Sequence, residues 1–501
     1  MGLDTIEITA GSSALQPGRA TTTRLTAADL RLLRAFVVAV GLCWSVLFVI
    51  VGLHYELQMY GDGAMFSYAV AVRDAWAFHW HNIPDRMFAY LFSSVPAETY
   101  VKLTKDPRGG IVVYGALQFV APLLGLIATW AADRSRNRII FAAACLSTAC
   151  LCPLVFGFPT EMWMAHSLFW PALAVCHYAG RGLVGAAIVF TALLALVLTH
   201  EGALIFALAI AFTLALRGLG DVAFLRAAAA FLAAASVWAL VRLYLPPSDY
   251  YGPVIARAAL TFIDVRSLAS DLFLLLFATL AGYGVAVLVL RSMTARPHAF
   301  ALALVAAGLA VYWLGFDHAL HASARYNART ALLIATPLLG ALATLQALAA
   351  EGRLRLPLPV LPRLIGILGE AVTPRAAVGA IALVMLVHAV ETGKFVAAWT
   401  DYKAALAELA IGRASDPGLG NARFVSSARI GAELNRLSWF STTPYSSILV
   451  TPGFAPARLV IDPRSNYFWL SCATAAANER AKRALSVDSR RLVRVYACQH
   501  R

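Results

Sequence analysis

Long apolar runs alternate with short polar turns along most of this chain, and that alternation sets its class. About eleven apolar segments stand out, at 35–53, 110–131, 138–156, 162–178, 183–198, 203–216, 222–244, 268–290, 299–315, 330–349 and 376–390. Most approach the ~20 residues that carry a helix across a bilayer. The fifth and sixth are short, and are expected to stop part-way and meet at a cavity. From Glu391 the pattern becomes that of a soluble chain. GNARFVSSARIGAELNRLSWF reads as helical, whereas SSILVTPGF, ARLVID and RRLVRVYACQ read as short strands bounded by Pro and Gly. The predicted fold is an all-α polytopic membrane protein with a small outer α/β C-terminal domain. Its parts are a cytoplasmic tail over 1–34, a transmembrane domain over 35–392 with a long outer loop at 54–109, and an extracytoplasmic domain over 393–501.

Composition supports this class. Of 501 residues, 60% are hydrophobic and only 14% charged, too few charges for a soluble protein of this size. A net charge of +14 raises the question of nucleic acid. The arginines, however, lie mainly in loops beside apolar segments, where they orient the chain, so no nucleic-acid partner is expected. Residues 1–30 are rich in Ser, Thr and Ala and lack the apolar core and small-residue cleavage site of a signal peptide; the first segment reads as an uncleaved anchor. No internal repeat is visible, which weakens the case for an inverted-repeat transporter.

Orientation follows from alternate turns. Arg24, Arg31 and Arg34 precede the first segment. Arg134, Arg136 and Arg138, then Arg181, Arg217, Arg291 and Arg296, and finally Arg353, Arg355, Arg363 and Arg375 mark every second turn after it. That side is predicted to be cytoplasmic, with the C-terminal segment outside. The opposite side collects the acids and histidines. It holds Asp62 in the first loop, Glu161 in FPTEMW, His200 and Glu201 in LTHEG, Asp249 in PPSDYYGP, and Asp317, His318, His321, Arg325 and Arg329 in GFDHALHASARYNART. Polar groups near membrane depth are costly and mark pathways or sites, so the chemistry is expected to face outward.

Each candidate has a structural and a chemical reading. Asp62, in Tyr60–Gly63, stands before an apolar stripe (Met65, Phe66, Tyr68, Ala69, Val72, Trp76) that reads as a helix lying on the bilayer surface. It is either that helix's N-cap or a general base or cation ligand beside a lipid-embedded substrate. Glu161 either suits a helix start or is a second carboxylate partner. His200 and Glu201 join the two shortest segments, and a site role is favoured for them. Arg325 and Arg329, with Tyr326, open the tenth segment. They are interface anchors or, four residues apart on one helix face, a seat for phosphate, with His318 and His321 as further donors. Trp76, Trp80, Tyr90 and Tyr100 read as an aromatic belt or as sugar-stacking surfaces. Cys43, Cys145, Cys150, Cys152 and Cys176 fall inside apolar segments as small apolar residues, while Cys472 and Cys498 lie in the exported tail, bridged or free.

An N-inside polytopic chain with an Asp just beyond its first span, a long first outer loop and an outer C-terminal domain resembles the GT-C glycosyltransferases, through its topology and YGDG at Tyr60–Gly63. The resemblance implies that Asp62 is the base or metal ligand and that Glu161 is the second acid. The tandem acidic motif of that family is absent, since Gly63 follows Asp62, which leaves open a divalent cation such as Mg2+ or Mn2+ at Asp62. The expected activity is inverting transfer of a sugar from a polyprenyl-phosphate carrier, in the bilayer of a bacterial inner membrane, to an envelope glycan, lipid or protein acceptor. Arg325 and Arg329 would neutralise the phosphate. The rival readings are a polytopic transporter or lipid flippase, and a non-enzymatic envelope-assembly protein.

The orientation is open to direct measurement. Single cysteines placed at Asp249 or Ser415 are expected to react with an impermeant thiol reagent in intact cells, and cysteines at Arg136 or Arg355 are not. Labelling at Arg136 from outside would overturn the orientation.

Overall fold

A computed structural model describes residues 27–76, 79, 83–157, 161–244, 270–317, 322–354, 373–412, 424–439 and 442–462. Trp80, Asp249, His318, His321, Ser415, Cys472 and Cys498 lie outside the described residues, as do the side chains of Arg325 and Tyr326.

The described chain is mostly helical, and eight of its helices are long and apolar enough to cross a membrane. Five of these are α1 (Ala27–His54), α4 (Pro107–Ala132), α5 (Ile139–Val155, entered through a turn at Arg136–Arg138), α12 (Ala322–Ala350) and α13 (Pro374–Ile411). The other three are α9 (Val222–Tyr244), α10 (Asp271–Leu290) and α11 (Pro297–Gly315). The fourth predicted segment forms α6 (Glu161–Tyr178), which carries Glu161, His166 and His177. The fifth and sixth form α7 (Leu183–Val197) and α8 (Ala203–Ala215), only 15 and 13 residues long. At ~1.5 Å per residue neither spans a ~30 Å hydrocarbon layer.

α1 packs on α4, α5 and α13; α4 packs on α6; α6 continues to α7 and α8; α12 lies across α5 and α8. Small residues set the close crossings. A Cβ on Gly41 of α1 would stand 2.6 Å from Cys145 Cβ of α5, and one on Gly125 of α4 would collide with the Ser167 carbonyl of α6. α10 and α11 form a hairpin held against α13, with most of their apolar surface unburied and suited to lipid contact.

The first loop departs from the sequence expectation. α2 (Gly63–Ala71) does not lie on a surface: Ala64, Met65, Ser67, Ala69 and Val70 are all buried, and the helix sits between α4 and the C-terminal segment. It stops at Ala71, before a left-handed Arg73 at φ 61°, so Val72 and Trp76 fall outside it. The loop then runs through a helical turn at Met87–Ala89 and a wide turn at Tyr90–Ser94 into α3 (Val95–Thr104). Tyr90 is buried against Trp76 and His79, a contact within the protein rather than a belt at an interface.

The C-terminal segment is also rearranged. α13 runs unbroken through residue 393, where the outer domain was predicted to begin. The stretch predicted helical holds β1 (Phe424–Ser426) and two tight turns. Most of SSILVTPGF, predicted as strand, lies in α14 (Thr443–Leu449) and a turn at Pro452–Phe454. ARLVID does contain a strand, β2 (Leu459–Ile461), which pairs in parallel with β1 in the register Phe424 to Leu459. α14 packs on α2, Trp439 Nε1 donates to Tyr60 Oη at 3.3 Å, and Arg108 donates to the Thr451 carbonyl at 2.8 Å. First loop and C-terminal segment therefore occupy the same end of the helical body.

Close packing at Gly41 gives a stability prediction. Gly41→Leu is expected to destabilise by about 1–3 kcal/mol through overpacking. Gly282→Leu is expected to leave the unfolding midpoint nearly unchanged, because nothing lies within 4 Å of a Cβ there. Thermal unfolding of both variants in one detergent separates the two cases.

Candidate functional site

The site starts from a turn that the sequence dictates. Gly61 takes φ 58°, a left-handed conformation that favours glycine, and lets the chain reverse so that Gly63 N donates to the Tyr60 carbonyl at 3.1 Å. Tyr60 anchors the turn, its ring packed edge-on against Phe395 and Trp399 of α13 at 5.0 and 5.3 Å. Asp62 follows at the N-cap position of α2. Its backbone carbonyl receives Met65 N at 3.0 Å, but its side chain makes no capping bond. Half of the structural reading holds: the position is a cap, and the carboxylate does not serve it.

Across from this turn stands a residue the sequence reading missed. Arg86 donates from Nη1 to Glu161 Oε2 at 2.8 Å, and from Nε and Nη2 to Glu201 Oε2 and Oε1 at 3.0 and 2.8 Å. The guanidinium forks onto Glu201 while its remaining edge reaches Glu161. Side-chain exposures of 13, 8 and 14% for Arg86, Glu161 and Glu201 leave little water to screen the pairing. Three elements meet here. Glu161 is the first residue of α6, Glu201 lies in the turn between α7 and α8, and Arg86 comes from the first loop, pinned by Phe88 N donating to the Leu198 carbonyl at 2.9 Å. Beside Arg86, Asp85 accepts from Trp238 Nε1 of α9 at 3.0 Å. The turn between the two short helices thus carries Glu201 into a buried ionic cluster.

Electrostatics separates the three acids. Burial raises Asp62 above the ordinary carboxylate range, with Arg329 and Arg86 pulling it part of the way back. The residue is still partly accessible. Burial also raises Glu161, opposed first by Arg86. Burial pushes Glu201 upward too, but Arg86 outweighs it and holds this carboxyl below its usual range. His200 is pushed down to about 3, chiefly by burial, so its imidazole is neutral. Its Nδ1 accepts from Gly202 N at 2.9 Å, and its Nε2 lies 3.7 Å from Glu201 Oε1. The structure thus gathers Asp62, Glu161, His200, Glu201 and Arg329 in one electrostatic neighbourhood, around Arg86. Asp317 is placed elsewhere, paired with Lys394 of α13 at 2.9 Å.

Among the described residues the carboxylates around Asp62 do not by themselves assemble a divalent-cation site. Glu161 and Glu201 are turned onto a guanidinium, which leaves Asp62 as a single carboxylate. Among the described residues no group of three or more His, Cys, Asp or Glu is gathered to hold a metal ion. Compared with protein-family models, curated proteins and solved structures, the chain matches none.

Arg86 carries the arrangement, and this can be measured. Arg86→Met strands two buried carboxylates and is expected to cost about 3–5 kcal/mol in unfolding free energy. Adding Glu161→Gln and Glu201→Gln should recover part of that loss, because the stranded charges are then gone. Additive losses in the combined variant would show that the three side chains do not act as one unit.

Proposed function

We propose that this protein is a membrane glycosyltransferase of GT-C type, transferring a sugar from a polyprenyl-phosphate carrier to an acceptor hydroxyl at the end of the helical body where the first loop lies. One observation carries the reading. Among the described residues, Asp62 is the acid of the cluster whose carboxylate has no hydrogen-bond or ion-pair partner, while Glu161 and Glu201 are held by Arg86. A desolvated, partly accessible carboxylate with a raised pKa has the properties of a general base.

In this reading the acceptor oxygen attacks the anomeric carbon from the face opposite the phosphate. The bond from that carbon to the phosphate oxygen breaks, and the electron pair leaves with the polyprenyl phosphate. The acceptor proton passes to Asp62, and the product is inverted. Arg329, close enough to lower the pKa of both Asp62 and His200, supplies positive charge for the departing phosphate. Arg325 belongs to the same proposal through its place four residues earlier on α12. Glu161, Glu201 and Arg86 form a fixed wall, and no step runs through a metal.

Base catalysis by Asp62 needs its ionised form. Activity is therefore expected above its raised pKa and lost as pH falls through it, so the acid limb should lie above the ordinary value of 3.8 for an aspartate. Asp62→Asn forfeits no capping bond and should change stability by less than about 1 kcal/mol. It should lower sugar transfer in nanodiscs at least about 100-fold. Full transfer by Asp62→Asn from a panel of polyprenyl-phosphate sugars would remove Asp62 from the reaction.

A further inference from the structure

Between the C-terminal half of α1 and the middle of α13 runs an apolar groove of about 370 Å³, open along one side. Trp44, Phe48 and Val51 of α1 form one wall, Thr392, Gly393 and Val396 of α13 the other, and Tyr55 closes one end. One feature of the α13 wall points to an occupant. Gly393 sits in the middle of a 38-residue helix, where glycine is a poor helix former, yet nothing in the protein lies within 4 Å of the place its Cβ would take. No protein packing calls for glycine here. Its absent side chain keeps the groove open.

The two ends differ in chemistry. Where Tyr55 closes the groove, Lys403 Nζ donates to the Tyr55 carbonyl at 3.0 Å and to Glu56 Oε2 at 2.7 Å. An ammonium has three donors, so one N–H is left for a further acceptor. Glu56 is 45% exposed at its side chain and is readily displaced.

We propose that this groove binds one hydrocarbon chain of an anionic phospholipid from the surrounding bilayer, with the phosphate received by Lys403. Both walls are helices suited to a membrane, so the medium at the open side is lipid. An open-sided, mainly apolar groove of this volume suits a flexible hydrocarbon chain. The cation at one end selects an acidic headgroup over a neutral one. The proposal does not rest on Asp62 or on sugar transfer.

The test uses the full chain in phosphatidylcholine nanodiscs containing a trace of phosphatidylglycerol with a diazirine in its chain. Photolabelling is expected at 44–51 and 389–397, saturable and competed by unlabelled phosphatidylglycerol. Gly393→Phe should reduce it about tenfold, and Gly393→Ala should keep most of it. Ala397→Phe, one turn along the same groove, should reproduce the loss if Gly393→Phe fails to fold. Lys403→Gln should retain chain labelling and abolish the preference over an equivalent phosphatidylcholine probe. Labelling that does not saturate, or that survives both groove-filling variants, would overturn the proposal. So would competition by polyprenyl phosphate without competition by phosphatidylglycerol.

Discussion

One guanidinium holding two buried carboxylates is the interaction on which the site depends. Glu161, Glu201 and Arg86 come from three separate parts of the chain, and none would be stable alone at this depth. Their pairing draws the first loop onto the junction of α6, α7 and α8. With Asp62 beside them, three carboxylates face the two guanidiniums of Arg86 and Arg329, an excess of acidic groups. In the proposed transfer positive charge develops on the sugar ring, and a wall biased in this way favours that state over the neutral substrate. In the same proposal Arg329 supplies the opposite sign for the leaving phosphate.

A second ionic group does a different task. Lys394 links Asp317 at the end of α11 to Glu391 on its own helix, and Trp313 donates to Glu391 at 3.0 Å. Toward the other end of α10 and α11, Tyr283 and His298 approach to 3.4 Å, and His298 and Thr373 to 3.5 Å. The hairpin of α10 and α11 is thus fastened to α13 at both ends by polar contacts, while its apolar flanks face outward. In lipid, where apolar contact gives no preference for protein over solvent, such polar fasteners set where a peripheral hairpin docks.

Much of this could be read from residue order, and the failures have physical causes. Among the described residues each apolar run falls on a helix, because the need to bury backbone groups leaves few alternatives. Gathering acids and histidines on one side of the chain brought Asp62, Glu161, His200 and Glu201 into view. Arg86 escaped notice because nothing local distinguishes an arginine in a loop. Its role exists only once Glu161 and Glu201, 75 and 115 residues away, arrive. The argument applied to Arg325 and Arg329, that arginine is unusual on this side, would have placed it beside Arg73 and Arg108 without choosing among them. Ser446–Val450 was misread as strand because short apolar stretches with β-branched residues carry no decisive period. Burial of Tyr445, Ile448 and Leu449 against α2 and β2 decided for helix. The stripe after Asp62 was sound as periodicity, but period alone does not say whether an apolar face meets lipid or protein.

The turn that presents Asp62 is braced by Phe395, Trp399 and Trp439, and Trp439 lies 379 residues beyond Tyr60. Such distant partners carry a consequence for biogenesis. As the chain leaves the ribosome, α1 and the first loop emerge with no wall to lean on, and the loop must wait through the insertion of every later helix before its supports exist. Closing so long a span is entropically slow. A chain stopped before α13 would place its helices and still lack an ordered Tyr60–Gly63 turn.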